Sequence, residues 1–265
     1  MLAEERFDNI LKLLAQRRSV TVQELCDALD ASESTIRRDL VLLHQQGRLN
    51  RVHGGATLPD SAFLTEEPTM TAKEQQAVAQ KQSIGRMAAG FVQASDFVFV
   101  DAGSTTLQLV QALQGPALQA TFVTNGIAHA RLLAQKGCRV YVLGGEIRPN
   151  TEAIVGAAAM SSVRHYNFTK AFMGANGVSL DRGFTTPDVE EAALKELVIS
   201  RTRESWFLVD DSKFGKLYPA VICELTDAAI VTNQLTNEKY RRHVLIKESS
   251  PEGEDARAPE KENEL

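Results

Sequence analysis

A recurrence runs through the middle of the chain and sets its architecture. Six short apolar runs, DFVFV, ATFVT, RVYVL, KAFMG, SWFLV and AAIVT, are each followed by small, polar residues: DAGSTT, NG, GGE, ANGV, DDSKFG and N. Between them, TTLQLVQAL, GIAHARLLAQ and VEEAALKELVIS have the length and apolar spacing of helices. Strands that alternate with helices predict an α/β domain with a mainly parallel sheet. In such a sheet the carboxyl ends of the strands share one edge, so the polar turns predict a single ligand crevice there.

Within that crevice, DAGSTT at 101–106 opens a helix, whose first-turn N–H groups and dipole attract an anion. Gly103 lets the backbone approach closely, and Ser104, Thr105 and Thr106 add hydroxyl donors. A hydroxyl-rich first turn also serves as simple capping. Asp101 suits sugar hydroxyls, and Thr124, Asn125, Gly145 and Glu146 are candidate wall residues, each also an ordinary turn former. Lys213, at a strand end beside a glycine, and Lys195 are candidates for meeting phosphate or sugar oxygens. Lys195 has a rival reading, because Glu191 four residues earlier makes a common surface pair. Neither a P-loop nor a GxGxxG is present, so no nucleotide cofactor is expected, and no metal site either.

The first sixty residues have a different pattern. Phe7, Ile10, Leu11 and Leu14 mark one face of a helix ending near Arg17. TVQE at 21–24 spells a capping box that starts a second helix. Ser32 caps a third, STIRRDLVLLHQQG, closed by Gly47. On the third helix Ile36, Leu40 and Leu43 share a face, and Ser34, Arg37, Arg38 and Val41 lie opposite. That is the arrangement of a helix-turn-helix, with Ser34, Thr35, Arg37 and Arg38 offered to a major groove. RLNRVHGGATL then reads as a two-stranded wing whose Arg51 and His53 are offered to the DNA backbone or the minor groove. Residues 1–57 hold eight basic and eight acidic side chains, so arrangement rather than charge favours DNA. A generic three-helix bundle with a solvated Arg37 and Arg38 shares the same periodicity.

Residues 58–72 carry two prolines and no sustained period, marking a linker or an arm across the next domain, and KEQQAVAQKQSIGRMAAGFV reads as one helix after it. The chain's net charge of -5 is concentrated at its end: residues 247–265 hold seven carboxylates against three basic residues and read as a disordered acidic tail. Cys26, Cys138 and Cys223 are widely spaced and suggest free thiols. No apolar stretch approaches the roughly 18 residues that span a bilayer, and the acidic start is unlike a signal peptide, so a cytoplasmic protein is expected. The expected organisation is a winged helix over 1–58, with its helix-turn-helix at about 20–40, an arm over 59–74, a sensor over 75–246 and the tail over 247–265.

SESTIRRDLVLLHQQGRLNRVHGGA, together with ERFDNILKLLAQRRSVTVQELCDAL, resembles the winged helix-turn-helix of DeoR-type bacterial transcriptional regulators. VFVDAGSTT, TFVTNG, VYVLGGEIR, AFMGANGVSLDRGFTTPDVEEAALK and FLVDDSKFG resemble the C-terminal sensor of the same family, a domain related in fold to ribose-5-phosphate isomerase. The resemblance runs from about Glu4 to Asn233. One departure is Gln80 before Lys81, where the family pattern has an acid. The resemblance implies a homo-oligomer, dimer or tetramer, that binds double-stranded operator DNA. It further implies repression of a sugar-use operon and release when a phosphorylated sugar binds. The rival from another class is an isomerase- or deaminase-like enzyme, for which Asp188, Glu190 and Glu191 supply carboxylates. Their run, PDVEEAALKEL, equally suits the acidic first turn of a helix, and no catalytic residue is assigned.

Overall fold

The computed structural model describes residues 3–17, 19–45, 48–52, 54–57, 62–66 and 68–249. The chain opens with α1 (Ala3–Arg17), β1 (Ser19–Thr21), α2 (Val22–Leu29), α3 (Glu33–Gln45), β2 (Asn50–Val52) and β3 (Gly55–Thr57). Ile10, Leu14, Leu25, Ile36, Leu40 and Leu43 are buried in one cluster, so the apolar faces read from spacing do meet. The capping box forms as TVQE spells it: Thr21 Oγ1 accepts the Glu24 N–H at 3.2 Å, and Glu24 accepts the Thr21 N–H at 2.7 Å. β1 is an element that periodicity did not show, being too short to carry a period. It pairs antiparallel with β3, so the wing is a three-stranded sheet in the order β1-β3-β2. This pairing requires glycine at 55, where a Cβ would lie 2.1 Å from the Val20 carbonyl oxygen. Gly47, expected to close the third helix, and His53 lie outside the described residues.

Next come β4 (Ala62–Phe63), α4 (Met70–Gln75), α5 (Val78–Ala89), β5 (Phe97–Val100), α6 (Ser104–Ala112), β6 (Thr121–Thr124), α7 (Ile127–Gln135) and β7 (Arg139–Val142). They are followed by β8 (Glu146–Ile147), β9 (Ile154–Val155), α8 (Ala157–Val163), β10 (Phe168–Met173), β11 (Gly177–Ser179), β12 (Gly183–Thr186) and α9 (Val189–Ser200). The last elements are β13 (Thr202–Leu208), β14 (Lys216–Leu217), β15 (Ala220–Cys223), β16 (Ala229–Thr232) and β17 (Ile246–Glu248).

Seven strands form one sheet in the order β17-β16-β13-β10-β5-β6-β7, and every pairing in it is parallel. Alternation along the strands covers both faces. Val98, Val100 and Phe122 pack with Ile84 and Leu109 under α5 and α6, while Phe99 and Val123 pack with Ala159, Val163, Leu194 and Val198 of α8 and α9. α5 lies close on α6 at Gly85, where a Cβ would stand 2.6 Å from the Gln108 carbonyl carbon. From β5 the chain winds outward through β6 and β7, then returns to β10 on the other side of β5. The strand order therefore reverses between β5 and β10, and the crevice of such a sheet opens at the carboxyl ends of those two strands.

Three expectations are corrected. Residues 73–92 are not one helix: the chain breaks at Ala77, which has a left-handed backbone (φ 51°), and α4 begins at Met70, inside the stretch read as a linker. The tail does not begin at Lys247, because β17 adds to the sheet edge beside β16 and the Ser249 N–H bonds the Thr232 carbonyl at 2.8 Å. Residues 250–265 lie outside the described residues. Finally, β11, β12 and β15 form a small antiparallel sheet over one face of the main one, in segments that carried no clear period. Among the described residues no helix is long and apolar enough to cross a membrane.

Candidate functional site

At the switch point the turn after β5 meets the turn after β10. The Gly174 N–H donates to Asp101 Oδ2 at 3.0 Å, and Lys195 Nζ reaches the same oxygen at 3.0 Å and the Gly174 carbonyl at 2.9 Å. Both Asp101 and Lys195 are buried, so the pair ties β5, β10 and α9 together beneath the crevice. Above it α6 begins. Thr106 Oγ1 accepts the Gly103 N–H at 3.0 Å and lies 2.5 Å from the Asp101 carbonyl oxygen, closing the turn. His129 Nε2 stands 3.1 Å from both Thr106 Oγ1 and the Gly103 carbonyl. Burial drives the His129 pKa down to about 4 against the opposing pull of Asp101, so the ring is neutral at physiological pH and acts as a wedge behind the turn. None of the described residues accepts a hydrogen bond from the N–H of Ser104 or Thr105. Those two donors face a cavity that Ser104, Thr105, Lys81, Lys195, Lys213 and Asn176 help to line.

Lys81 and Lys73, on α5 and α4, were not among the residues chosen from the sequence. Lys81 is buried, and its ammonium donates to the Lys73 carbonyl. Burial lowers its pKa to about 8; Asp210 and Glu74 pull it back up, while Lys213 and Lys73 push it down further. The cavity thus gathers four lysines around a helix N-terminus, among them Lys195, which is paired with Asp101. Thr151 and Glu191 form another wall, joined by a 2.6 Å hydrogen bond. Among the described residues no group of three or more His, Cys, Asp or Glu is placed to hold a metal.

The second candidate surface lies on the winged helix. Ser34, Arg37, Arg38 and Arg51 are exposed, opposite the buried Ile36, Leu40 and Leu43, as the spacing required. Arg37 pairs with Glu33 at 2.6 Å, an exposed i,i+4 pair that contributes little to stability. Arg37 and Arg51 share a groove between α3 and the wing with Val52, Gly54 and Gly55. Thr35 is partly covered, its hydroxyl 2.8 Å from Ser32 Oγ in the cap of α3.

Residues 6–62 match the DeoR-like helix-turn-helix domain, and residues 76–234 match the DeoR C-terminal sensor domain. The chain belongs to the DeoR family. It is 37% identical over 254 residues to an HTH-type transcriptional regulator FruR of Bacillus subtilis, covering 95% of this chain and 100% of that protein. It is 34% identical over 242 residues to the lactose phosphotransferase system repressor of Staphylococcus epidermidis, covering 90% of this chain and 95% of that one. Among solved structures it is similar to ribose 5-phosphate isomerase A from Neisseria gonorrhoeae, with a TM-score of 0.39 and 18% identity over 56% of each chain. The DeoR chain is a DNA-binding transcriptional regulator.

Its structure brings Asp101, Gly103, Ser104, Thr105, Lys195 and Lys213 to one cavity. Other expected wall residues fall elsewhere. Thr106 is fully buried and holds the turn from behind. Thr124 Oγ1 accepts the Gly126 N–H at 3.0 Å, and Asn125 accepts the Ala102 N–H at 2.9 Å, so both brace the crevice floor. Gly145, on the turn from β7 to β8, and Glu146, the first residue of β8, are exposed beyond the cavity, because β7 is the far edge strand of the sheet. The surface-pair reading of Lys195 fails, since both it and Glu191 are buried. Asp188 caps α9, accepting the Glu191 N–H at 2.8 Å, and pairs with Arg148 at 2.6 Å. That is the acidic first turn the sequence allowed, and it uses a carboxylate the enzyme reading needed.

Proposed function

We propose that this regulator represses a sugar-utilisation operon and leaves its operator when a phosphorylated sugar occupies the cavity at the switch point, binding that sugar without turning it over. The observation that carries the reading is the open N–H pair of Ser104 and Thr105 set among Lys73, Lys81 and Lys213. A helix N-terminus with added cations favours a dianionic phosphate. The name of the Staphylococcus epidermidis relative, a repressor of a sugar phosphotransferase system, points the same way. Two or more winged helices acting together fit a homo-oligomer on an operator with repeated half-sites. The ligand must prefer the conformation that fits DNA poorly, so operator DNA must weaken ligand binding by the same factor.

The direct test screens hexose and pentose phosphates by thermal shift and carries any hit into an operator mobility shift. A phosphosugar that raises the melting temperature and dissociates the operator complex, unchanged in amount after incubation, is the expected result. Absence of both effects for every phosphosugar overturns the pocket assignment, and turnover of the hit overturns the non-enzyme reading.

Two further expectations follow. Arg38→Ala should weaken operator binding by about 1–3 kcal/mol and flatten its salt dependence by about one counterion; unchanged affinity across a salt series removes Arg38 from the interface. Phosphosugar affinity should hold from neutral pH to about 8 and then fall by up to about tenfold per pH unit as Lys81 loses its proton. The sign follows from the charge: the protonated form binds the anion, and it is depleted only above the pKa of the ligand-free protein. Calorimetric titrations between pH 7 and 9.5 check this, and a flat profile removes Lys81 from phosphate contact.

A further inference from the structure

The cavity has a volume of about 50 Å³, whereas pockets for small ligands ordinarily hold about 300–1,000 Å³. The enclosed space seats a phosphate group and leaves the attached sugar outside it, so a ligand that is to be enclosed whole must displace part of the lining. β5, β10 and α9 are fixed by the sheet, by the buried core and by the Asp101–Lys195 tie. Met70 and Lys73 differ, because they belong to α4, a helix of 6 residues laid over the crevice. Its ties include the Met70 N–H on the Asn150 carbonyl at 2.8 Å and the Lys81 ammonium on the Lys73 carbonyl.

α4 lies in the segment that joins the winged helix to the sensor. Upstream, β4 runs parallel to β14, with Ala62 opposite Lys216 and Phe63 opposite Leu217, and the Leu64 N–H bonds the Leu217 carbonyl at 2.8 Å. β14 follows the turn that carries Lys213, itself a wall of the cavity. The joining arm is thus fastened twice to the ligand site, once through Lys81 and once through the strand after Lys213.

Resting on the reading that the cavity takes a phosphorylated sugar, we infer that the arm carrying β4 and α4 is a strap which that ligand must lift, and that its lifting passes pocket occupancy to the winged helix. The Lys81 ammonium exchanges the Lys73 carbonyl for phosphate oxygens, and α4 moves off α6. A ligand shifts such an equilibrium only by its differential affinity for the two states, and here the closed state leaves the sugar unenclosed.

Hydrogen exchange on the full-length protein, with fructose 1-phosphate and glucose 6-phosphate as probes, reads the strap directly. A probe that raises the melting temperature should speed exchange at Leu64 and Met70 by about tenfold or more. A bound probe that leaves exchange across the arm unchanged or slower overturns the strap and leaves the pocket reading standing. A screen of all hexose and pentose phosphates without a melting shift takes down both. A second test pins the arm with Phe63→Cys and Leu217→Cys, which stand opposite each other in the β4–β14 pair. The oxidised variant should bind operator but neither take up the ligand nor release DNA, with both restored by dithiothreitol. Normal release from the crosslinked protein overturns the inference.

Discussion

Lys195→Met is expected to abolish the response to phosphosugar, with at least a hundredfold loss of ligand affinity (about 3 kcal/mol or more). It should also destabilise the sensor by about 3–5 kcal/mol, because removing one partner of a buried pair leaves the other charge uncompensated. The reason lies in the position of Asp101, which is buried under the α6 N-terminus and shares Oδ2 between the Lys195 ammonium and the Gly174 N–H. Without Lys195 that carboxylate becomes a naked negative charge directly beneath the phosphate seat, repelling the ligand the site is built to hold. The two effects separate in a double variant. Lys195→Met with Asp101→Asn removes both charges, so most of the lost stability should return together with the affinity lost to repulsion, and the deficit in affinity that remains measures the ammonium's own contact with the ligand. Urea unfolding of the two variants and calorimetric titration check both halves. Wild-type ligand affinity in Lys195→Met would show that the ammonium matters to the fold alone.

The sheet was legible because both of its faces are covered. DFVFV, ATFVT and SWFLV are continuous apolar runs of the kind only a doubly covered parallel strand needs, and the structure finds them at β5, β6 and β13. The capping box at Thr21 was legible because its four residues satisfy one another locally. What escaped was decided at a distance. β1 has 3 residues and exists because β3 lies beside it. β17 holds two charged residues, Lys247 and Glu248, among its 3, so it reads as tail until the exposed edge of β16 is available to pair with it. α4 stands in a proline-containing stretch whose helical residues are held by the crevice it covers.

The candidate site divides along the same line. Residues of one turn, Asp101 to Thr105, were readable because a single helix start places them together. Distributing roles among them was not: Thr106 and Asp101 have the same polar character as their neighbours, and only the buried contacts to His129, Gly174 and Lys195 set them apart as supports. Lys81 and Lys73 lie in segments remote from every strand end, and nothing in their spacing signals that α4 and α5 cross the crevice. Asn176 sat in a quoted strand-end turn, ANGV, whose polar residue was the available signal.

The winged helix rests on a second buried pair, and Arg6→Met should cost it more than the small domain can spare. Arg6 grips Asp39 with its fork, through Nε to Oδ2 and through Nη2 to Oδ1 at 3.1 Å, and the two side chains are only 14% and 5% exposed. The Asp39 hydrogen bond raises the Arg6 pKa further, so the guanidinium keeps its charge. Arg6 belongs to α1, while Asp39 directly follows Arg37 and Arg38 on α3. The tie therefore holds the helix that presents those arginines against rotation about its own axis. Losing it strands a buried carboxylate at about 3–5 kcal/mol, against a stability of about 5 kcal/mol or less for a domain of this size. Arg6→Met is expected to melt the winged helix and eliminate operator binding while the sensor still unfolds as in the wild type. Arg6→Met with Asp39→Leu replaces the pair by apolar contact and should restore folding. Its α3 is then free to roll, so operator affinity should remain about tenfold below wild type, a difference of about 1.4 kcal/mol. Circular dichroism melts of the two variants beside operator and random-sequence titrations decide it. Full operator affinity in the folded double variant would show that the pair stabilises the domain without aiming its recognition helix.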